Sequence, residues 1–497
     1  MTPATNTSLT AARRLAELER VRHETVDVLV VGLGATGAGV ALDAASRGLT
    51  VAAIDAHDLA FGTSRWSSKM IHGGLRYLAK GQVAVARESA VERGILLTRT
   101  APHLVRAAPY LLPLTPAVSR AQAALVMTGY RMGDALRVAA RTPRGLLPGP
   151  SRLPSAKARE LAPPLRGDGL RGALLSWDGR LVDDARLVVA IARTAAGHGA
   201  RILTRCRAME LHGDGAEVRD ELTGETFTIR ARAVINAAGV WAGLLNPDLR
   251  LRPSRGTHLV LRGETLPGLR AGLHVPIPGE SNRFALVLPQ HDGRVYVGLT
   301  DEPVDGPVPD VPEVPDEDVT ALLSVLNTVL EVPVDRGAVA GAYAGLRPLL
   351  EAEGRTADLS RRHAVLTSAD GVVTVTGGKL TTYRRMAQDA VDRAVSRRAL
   401  PAGPCVSDRL PLVGARLAGG PADLVARYGG EAPAVHELVK RHPEPVGAGR
   451  TLGELVWAVR YEGALDEADL LDRRTRIGLV PEDRAAALAA ARHALTL

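Results

Sequence analysis

The sequence has only two cysteines among 497 residues, Cys206 and Cys405. This scarcity excludes a disulfide framework and a cysteine-rich metal site, and it suits a reducing, cytosolic environment.

No run of 18 or more uncharged apolar residues is present. The longest candidate, Val28 to Leu42, is interrupted by glycines and stops at Asp43, so no transmembrane helix is expected. The N-terminal residues show no apolar signal-peptide core, so secretion is not expected.

Aromatic residues and lysine are also rare. Aromatics make up 3% of the chain, too few for the stacking platforms of a single-strand nucleic-acid binder. Only five lysines occur among 62 basic residues, and the formal net charge is +8 with a pI near 9.8. This charge suits an anionic partner, whether nucleic acid, an acidic membrane surface or a phosphorylated substrate, and the scarcity of aromatics disfavours nucleic acid. With 46% hydrophobic and 23% charged residues, the chain has globular proportions and is long enough for two or three domains.

The chain predicts a βαβ opening near its N-terminus. Asp27–Val31 is a strand-length apolar run, a helix of small residues extends to Arg47, and a second strand covers Thr50–Ile54. Between strand and helix, residues 32–37 read GLGATG, and Asp55 ends the second strand, near the spacing expected for an acid that binds a ribose hydroxyl. This combination favours dinucleotide binding over a plain structural turn. An acid here suits NAD or FAD, and the motif does not choose between them.

Further elements are read from hydrophobic patterning. Helices are expected over residues 83–100, 183–198 and 381–398, and helical sequence after residue 400, with a loop over the Pro- and acid-rich residues 301–318. Strands are expected at Ala233–Asn236, His258–Leu261, Phe284–Leu288, Val295–Gly298 and Val372–Thr376. Residues 1–24 read as a charged helix with no clear connection to a core.

Two segments carry further chemical signals. Residues 61–78, FGTSRWSSKMIHGGLRYL, form a hydroxyl-rich stretch after the second strand, for which a simple NAD fold has no obvious use. It therefore favours FAD, although an ordinary Ser/Gly loop is the alternative. Lys379 lies in a strand–Gly–Gly–Lys–helix turn, where it could stabilise negative charge that develops on a reduced flavin. The alternative is a helix-start turn with an incidental lysine.

The sequence resembles the aerobic, FAD-dependent glycerol-3-phosphate dehydrogenases from about residue 25 to 480. The resemblance rests on separated motifs, namely GLGATGAGVALDAASRGL, SSKMIHGGLRYL, DGRLVDDARL, VINAAGVWA, GTHLVL, GLRPLL, TGGKLTTYR and RRTRIGL. Departures are mild: Asp55 replaces a more frequent Glu, Arg65 and Trp66 stand where small polar residues are frequent, and residues 1–24 have no clear counterpart.

The resemblance implies an α/β fold with a Rossmann-type FAD-binding domain interleaved with an antiparallel-sheet substrate domain, plus a C-terminal helical domain. We expect an N-terminal extension over residues 1–24, the oxidoreductase region over 25–399 and the helical domain over 400–497. Within the oxidoreductase region, FAD-binding segments are expected at about 25–100, 175–250 and 335–395, with substrate segments between them.

The same resemblance assigns site residues. Substrate contacts are expected from Arg76, Tyr77, His258, Arg347, Arg361, Lys379 and Thr381. FAD contacts are expected from Gly32, Gly34, Ala35, Thr36, Gly37, Asp55, Thr63, Ser64, Ser67, Ser68, Lys69, His72, Gly73, Gly74, Leu75, Ala238, Gly239, Trp241, Gly377, Gly378 and Lys379. The catalytic residues are expected to be His258, Arg347 and Lys379, with no metal. Of the histidines that could accept the hydroxyl proton, His258 is favoured because His72 lies beside two glycines and is better placed for the flavin.

The resemblance implies oxidation of sn-glycerol 3-phosphate to dihydroxyacetone phosphate, with electrons passed to membrane quinone. The expected location is cytoplasmic, at the inner face of the cell membrane, with peripheral attachment to its anionic surface; a homodimer is compatible with these features. One alternative is an oxidase that passes electrons to oxygen and produces hydrogen peroxide. An amine or hydroxy-acid oxidase would not need so many substrate cations. An RNA-binding flavoprotein is disfavoured because no basic-aromatic motif occurs.

Overall fold

The computed structural model describes residues 5–78, 81–280, 283–351 and 362–497. Its helices are α1 (Ala11–His23), α2 (Ala35–Ser46), α3 (Leu75–Leu78), α4 (Val83–Ile95), α5 (Arg120–Ala139), α6 (Ser155–Leu161), α7 (Asp184–Gly197), α8 (Asp316–Asn327), α9 (Tyr383–Arg398), α10 (Ala422–Tyr428), α11 (Ala432–Arg441), α12 (Leu452–Tyr461) and α13 (Pro481–Thr496). Its strands are β1 (Thr25–Val31), β2 (Val51–Ile54), β3 (Met70–Ile71), β4 (Val105–Pro113), β5 (Ser151–Leu153), β6 (Ala173–Leu181), β7 (Arg201–Leu203), β8 (Cys206–His212), β9 (Gly215–Asp220), β10 (Thr226–Asn236), β11 (Ser254–Arg262), β12 (Gly272–Pro276), β13 (Phe284–Pro289), β14 (Arg294–Gly298), β15 (Glu302–Pro303), β16 (Val339–Arg347), β17 (Ala364–Thr367), β18 (Val373–Thr376), β19 (Pro445–Gly447) and β20 (Arg450–Thr451).

A mostly parallel sheet contains the predicted βαβ opening. Its strand order is β17-β18-β10-β1-β2-β7, and the pairs from β18 to β7 are parallel. Both faces of β1 are covered, which explains its continuous apolar sequence. Val28 and Val30 pack in one core with α2, α7 and α9, whereas Leu29 and Val31 pack in another with α1 and β9. The strand therefore presents alternate side chains to two cores, as strand geometry requires.

The N-terminal helix α1 is packed onto this sheet, unlike the loosely attached extension that the sequence suggested. Leu18 and Val21 are buried in the core that α1 shares with β9. The guanidinium of Arg14 donates hydrogen bonds to the carbonyl of Thr204 at 2.7 Å and to Asp220 at 2.5 Å. A buried ion pair and two buried apolar side chains thus connect α1 to the core.

A second, largely antiparallel sheet lies beside the first. Its strand order is β15-β11-β14-β13-β12-β4-β6-β3, with β16 also paired to β11 and β5 to β6. Helices α6 and α8 contribute to the core on one face. Helix α8 begins inside the predicted acid-rich loop, because Asp316 and Glu317 occupy its first turn, where acidic groups are favourable. In β11, His258 is paired with Gly298 of β14 and Tyr343 of β16.

The chain after residue 400 is mainly helical, as predicted, and α10 to α13 share a core of their own. Buried ion pairs join this core to the parallel sheet. Arg186 of α7 donates to both oxygens of Glu462 at 2.8 and 2.9 Å, and Arg474 donates to Asp58 at 2.7 and 2.8 Å. Across the residues described, no helix has the length and apolar character needed to cross a bilayer.

Candidate active site

A cavity of about 1440 Å³ lies between the two sheets. One wall consists of segments that follow parallel strands: Gly32 after β1, Asp55 after β2, Ala237 after β10 and Gly377 after β18. The carboxyl ends of parallel strands are where open α/β sheets bind ligands. The opposite wall comes from the antiparallel sheet and includes His258. The volume exceeds the usual range for drug-sized ligands and suits a dinucleotide together with a substrate.

The glycine turn between β1 and α2 permits close backbone approach. Gly32 has φ +101°, a conformation that favours glycine. A Cβ on Gly37 would lie 1.8 Å from the carbonyl oxygen of Gly32, so any side chain there would push α2 away from the strand. The backbone N–H of Ala35, at the start of α2, donates to Ser64 Oγ at 2.9 Å. The helix N-terminus thus faces the cavity, where a phosphate would be favoured.

The carboxylate of Asp55 is fixed at the cavity wall. It accepts a hydrogen bond from the backbone N–H of Leu33 at 2.6 Å and another from His57 at 2.8 Å. Burial raises its pKa to about 6. Asp55 thus holds the glycine turn in shape while it lines the part of the cavity where a ribose hydroxyl is expected.

The hydroxyl-rich segment after β2 covers the middle of the cavity. Thr63 Oγ1 donates to the carbonyl of Leu346 at 2.6 Å, which joins this segment to β16 of the opposite sheet. Ser67 donates to Asp184 at 2.7 Å. These hydrogen bonds hold the backbone of the segment along the cavity. Some of its hydroxyl groups are therefore used to position the segment itself.

Lys69 lies outside the cavity, contrary to the expected cofactor contact. The Lys69 side chain is 2% exposed, and its ammonium lies 3.0 Å from Asp184 and donates to the carbonyls of Arg65 and Ser67. Burial lowers its pKa to about 8. The Lys69 ammonium thus forms a buried ion pair and hydrogen bonds that position the segment lining the cavity.

His258 lies on the antiparallel-sheet wall. Its imidazole stacks on Tyr343 with centroids 4.8 Å apart, and Nε2 is 2.8 Å from Ser68 Oγ. Nδ1 is buried and has no hydrogen-bond partner among the described residues. Burial, followed by the charges of Lys69 and Arg347, lowers the pKa of His258 to about 3. The imidazole is therefore neutral near pH 7, the state required of a proton acceptor.

Arg347 ends β16 and reaches across β11. A Cβ on Gly256 would lie 2.2 Å from its Nη2, so the glycine of GTHLVL makes room for the guanidinium. Nη1 lies 3.1 Å from Asp301 and donates to Ser254 Oγ at 3.1 Å, and Nη2 donates to the carbonyl of Thr300 at 3.2 Å. The guanidinium is thereby oriented at the cavity wall.

Lys379 follows β18 on the parallel-sheet wall. Its ammonium donates to Ser89 Oγ and lies 3.9 Å from the ring centroid of Tyr77. Thr381 Oγ1 accepts from the backbone N–H of His72 at 3.2 Å, which connects this turn to the segment after β2. The Tyr77 ring and the Ser89 hydroxyl thus fix the position of Lys379, the one lysine among the described residues that lines the cavity.

Most of the predicted site residues meet in this cavity. Those that line it are Gly32, Gly34, Ala35, Thr36, Asp55, Thr63, Ser64, Ser67, Ser68, His72, Leu75, Tyr77, Ala238, Gly239, Trp241, His258, Arg347, Gly377, Gly378, Lys379 and Thr381. Four predicted residues are not among those that line the cavity: Gly37, Lys69, Gly73 and Gly74. Arg361 and the side chain of Arg76 lie outside the described part of the chain.

Several positioning residues were not singled out from the sequence. Asp301 and Ser254 orient Arg347, Ser89 contacts Lys379, and Asp184 holds both Ser67 and Lys69. Asp184 lies within the motif DGRLVDDARL, so its acidic cluster was a usable signal. The others stand in segments without a distinctive pattern: Ser254 and Asp301 reach the site through the antiparallel sheet, and Ser89 through the packing of α4.

A family model and two relatives of similar length match most or nearly all of this chain. A family model described as FAD dependent oxidoreductase matches residues 27–384. Glycerol-3-phosphate dehydrogenase 1 of Mycobacterium tuberculosis is 54% identical over 508 residues, which cover 98% of each chain. Glycerol-3-phosphate dehydrogenase of Mycobacterium leprae is 35% identical, over 96% of this chain and 85% of that protein.

Solved structures share the fold. The X-ray structure of glycerol-3-phosphate dehydrogenase from Bacillus halodurans complexed with FAD has a TM-score of 0.76 at 26% identity, covering 98% of this chain and 94% of that one. L-alpha-glycerophosphate oxidase from Mycoplasma pneumoniae, with FAD bound, has a TM-score of 0.59 at 18% identity, covering 78% of this chain and 99% of that one. The second likeness concerns the fold alone.

Proposed function

Because this chain belongs to the FAD-dependent glycerol-3-phosphate dehydrogenase family, we propose that it oxidises sn-glycerol 3-phosphate to dihydroxyacetone phosphate and passes the electrons to membrane quinone. The observation that carries the proposal is that a cofactor-binding turn and a group able to accept a proton share one cavity. A dinucleotide turn lies in one part of it, and the neutral imidazole of His258 lies among cationic side chains in another. Such an arrangement serves hydride removal from an anionic alcohol.

The residues present fit FAD. The glycine turn and the N-terminus of α2 would hold the pyrophosphate, Asp55 would bind the adenosine ribose, and the segment 61–78 would lie along the rest of the molecule. When bound, FAD supplies the acceptor for the hydride. Lys379, before α9, would place positive charge where the isoalloxazine gains negative charge.

The substrate's two functional groups need different partners. Its phosphate is a dianion that suits the oriented guanidinium of Arg347 together with the ammonium of Lys379. Its secondary hydroxyl must lose a proton as hydride leaves carbon, and His258 accepts that proton. Burial keeps the imidazole neutral beforehand, and the neighbouring phosphate dianion favours its protonated form once the proton has been accepted.

The glycine turn gives a direct test of FAD binding. We expect Gly37→Ala to abolish FAD binding, because the added methyl would lie 1.8 Å from the Gly32 carbonyl and displace the turn. The measurement is the FAD-to-protein ratio of the purified variant. Gly145→Ala is the matched control, since a Cβ there meets no atom within 4 Å. A full FAD complement in the Gly37 variant would contradict this assignment.

Helix α5 supports the proposed membrane contact. Leu125 and Met132 lie two turns apart on one side of α5 and are 60% and 48% exposed. Leu125 and Met132 also line the mouth of the cavity. Two exposed apolar side chains on one helix face, in a chain of net charge +8, suit a helix that lies in an anionic membrane surface. It would bring the cavity mouth to the bilayer, where quinone is dissolved, at the cytoplasmic leaflet.

We expect the double variant Leu125→Ser/Met132→Ser to lose vesicle binding. Each of these exposed side chains would be buried in the bilayer when the protein binds. Replacing both by serine therefore costs roughly 3 kcal/mol or more of binding free energy, which is about 100-fold in the partition coefficient. The measurement is co-sedimentation with anionic vesicles, with Leu222→Ser/Leu417→Ser as the control for exposed leucines elsewhere. High salt should weaken binding of the wild type in part, because exposed charges are screened beyond about 8 Å at physiological ionic strength. Unchanged binding of the α5 variant would place the contact on another surface.

The electron acceptor is tested with the purified holoenzyme. Turnover with glycerol 3-phosphate is measured once with a soluble quinone analogue and once with oxygen, recording hydrogen peroxide. We expect the quinone analogue to support faster turnover than air-saturated buffer, with little peroxide. Stoichiometric peroxide at an equal rate would instead identify an oxidase.

A further inference from the structure

A second cavity, of about 340 Å³, lies where the C-terminal helical region meets the two sheets. Its walls come from β4, the start of α7, the turn between β13 and β14, α10, β20 and the segment before α13. Among the described residues, none lines both this cavity and the larger one. The volume falls at the lower end of the range for small-molecule pockets.

The walls of this cavity are strongly basic. They carry Lys69, whose ammonium is paired with Asp184, and the six arginines Arg106, Arg186, Arg427, Arg450, Arg474 and Arg476. Four of these guanidiniums have acidic partners: Arg186 pairs with Glu462, Arg474 with Asp58, Arg427 with Glu454, and Arg476 lies 3.8 Å from Asp183. Buried cations with partners are structural, so these four do not by themselves indicate a ligand.

The other two guanidiniums have no such partners. Neither Arg106 nor Arg450 forms an ion pair or a side-chain hydrogen bond with the described residues, and Nε of Arg450 is buried. Burial, followed by the charge of Arg427, lowers the pKa of Arg450. The wall acids Asp292 and Asp423 lie within 4 Å of other arginines, at 3.9 Å from Arg294 and 3.6 Å from Arg427.

We propose that this cavity is a binding site for a phosphate dianion, with Arg106 and Arg450 as the residues that neutralise it. Two guanidiniums without an ion-pair partner among the described residues, on one small cavity, match a ligand of charge −2. Guanidinium groups present paired N–H donors that suit phosphate oxygens, and a partly enclosed site strengthens such charge-assisted bonds. Inorganic phosphate and the phosphate of a small phosphomonoester share this chemistry, and the cavity has room for a short carbon chain.

The test uses FAD-loaded protein in which the larger cavity no longer competes for phosphate, namely the Arg347→Ala/Lys379→Ala background. Thermal unfolding is measured with increasing inorganic phosphate at constant ionic strength, balanced with chloride. We expect Tm to rise with phosphate concentration, because a ligand that binds only the folded state stabilises it. Adding Arg106→Gln/Arg450→Gln should abolish the rise, whereas adding the exposed pair Arg144→Gln/Arg152→Gln should leave it intact.

Isothermal titration of the same background with inorganic phosphate gives the stoichiometry, for which we expect one site. The variant Arg106→Lys/Arg450→Lys keeps both charges and loses the paired donors, so its affinity should fall without loss of folding. A parallel titration with glycerol 2-phosphate separates the sources: tighter binding than inorganic phosphate identifies a phosphomonoester, and weaker binding identifies phosphate itself. The proposal is overturned if the background shows no phosphate-dependent rise in Tm, or if the Gln or Lys pair binds phosphate as well as the background does.

Discussion

Replacing His258 by glutamine should lower the rate constant of flavin reduction by glycerol 3-phosphate about 10²- to 10⁴-fold, the usual contribution of a general base. Glutamine can still contact Ser68, but it cannot accept the hydroxyl proton as hydride leaves. In the proposed mechanism, the buried and neutral imidazole of His258 accepts this proton. The measurement is anaerobic stopped-flow bleaching at saturating substrate, with the FAD content determined first.

Ser68→Ala is the matched control for this prediction. It removes the 2.8 Å contact to Nε2 while keeping the imidazole and its stacking on Tyr343. We expect a loss of less than about tenfold, the size of one neutral hydrogen bond. Wild-type flavin reduction by the glutamine variant with full FAD would exclude His258 as the proton acceptor.

The second large effect concerns the substrate phosphate. Arg347→Ala and Lys379→Ala should each lower kcat/KM for glycerol 3-phosphate about 10- to 150-fold, because each loses a charge-assisted hydrogen bond worth roughly 1.5–3 kcal/mol. The two variants should affect different kinetic steps. Losing Arg347 should act mainly on substrate affinity, whereas losing Lys379 should also slow flavin reduction at saturating substrate, since Lys379 stands before α9 beside the proposed flavin position.

Two comparisons control this experiment. Lys440→Ala removes an exposed lysine that pairs with Glu437 on the surface, and it should leave the kinetics unchanged. Unphosphorylated glycerol, if it is turned over at all, should respond much less to either site variant, because it never made the phosphate contact. Wild-type kcat/KM in both variants with full FAD would show that the phosphate binds elsewhere.

The parts of the fold with local signals could be predicted from the sequence. The glycine turn, β1 and α9 follow from apolar runs, turn residues and Asp55, and the structure places them within a few residues of the prediction. Helix α1 was underestimated because only Leu18 and Val21 form its apolar contact, and charged side chains such as Arg14 and Arg22 make much of the remaining attachment. Helix α8 was missed because its acidic first turn continues the composition of the loop before it.

The site itself depended on pairing between distant segments. His258 and Arg347 come together because β11 and β16 pair in antiparallel register, and local sequence carries no information on that register. The position of Lys69 also depends on a distant segment. A lysine in a hydroxyl-rich segment suggested a ligand contact, whereas Asp184, more than a hundred residues further along the chain, takes its charge inside the fold. Only the three-dimensional arrangement distinguishes a cation that faces a cavity from one that supports its wall.

Anaerobic mixing of the purified yellow protein with glycerol 3-phosphate, followed at the flavin absorbance, tests the central claim most directly. We expect rapid and complete bleaching with glycerol 3-phosphate, little or none with glycerol, and release of FAD on denaturation. Bleaching by NADH without any response to glycerol 3-phosphate would contradict the assignment of the electron donor and with it the proposed function.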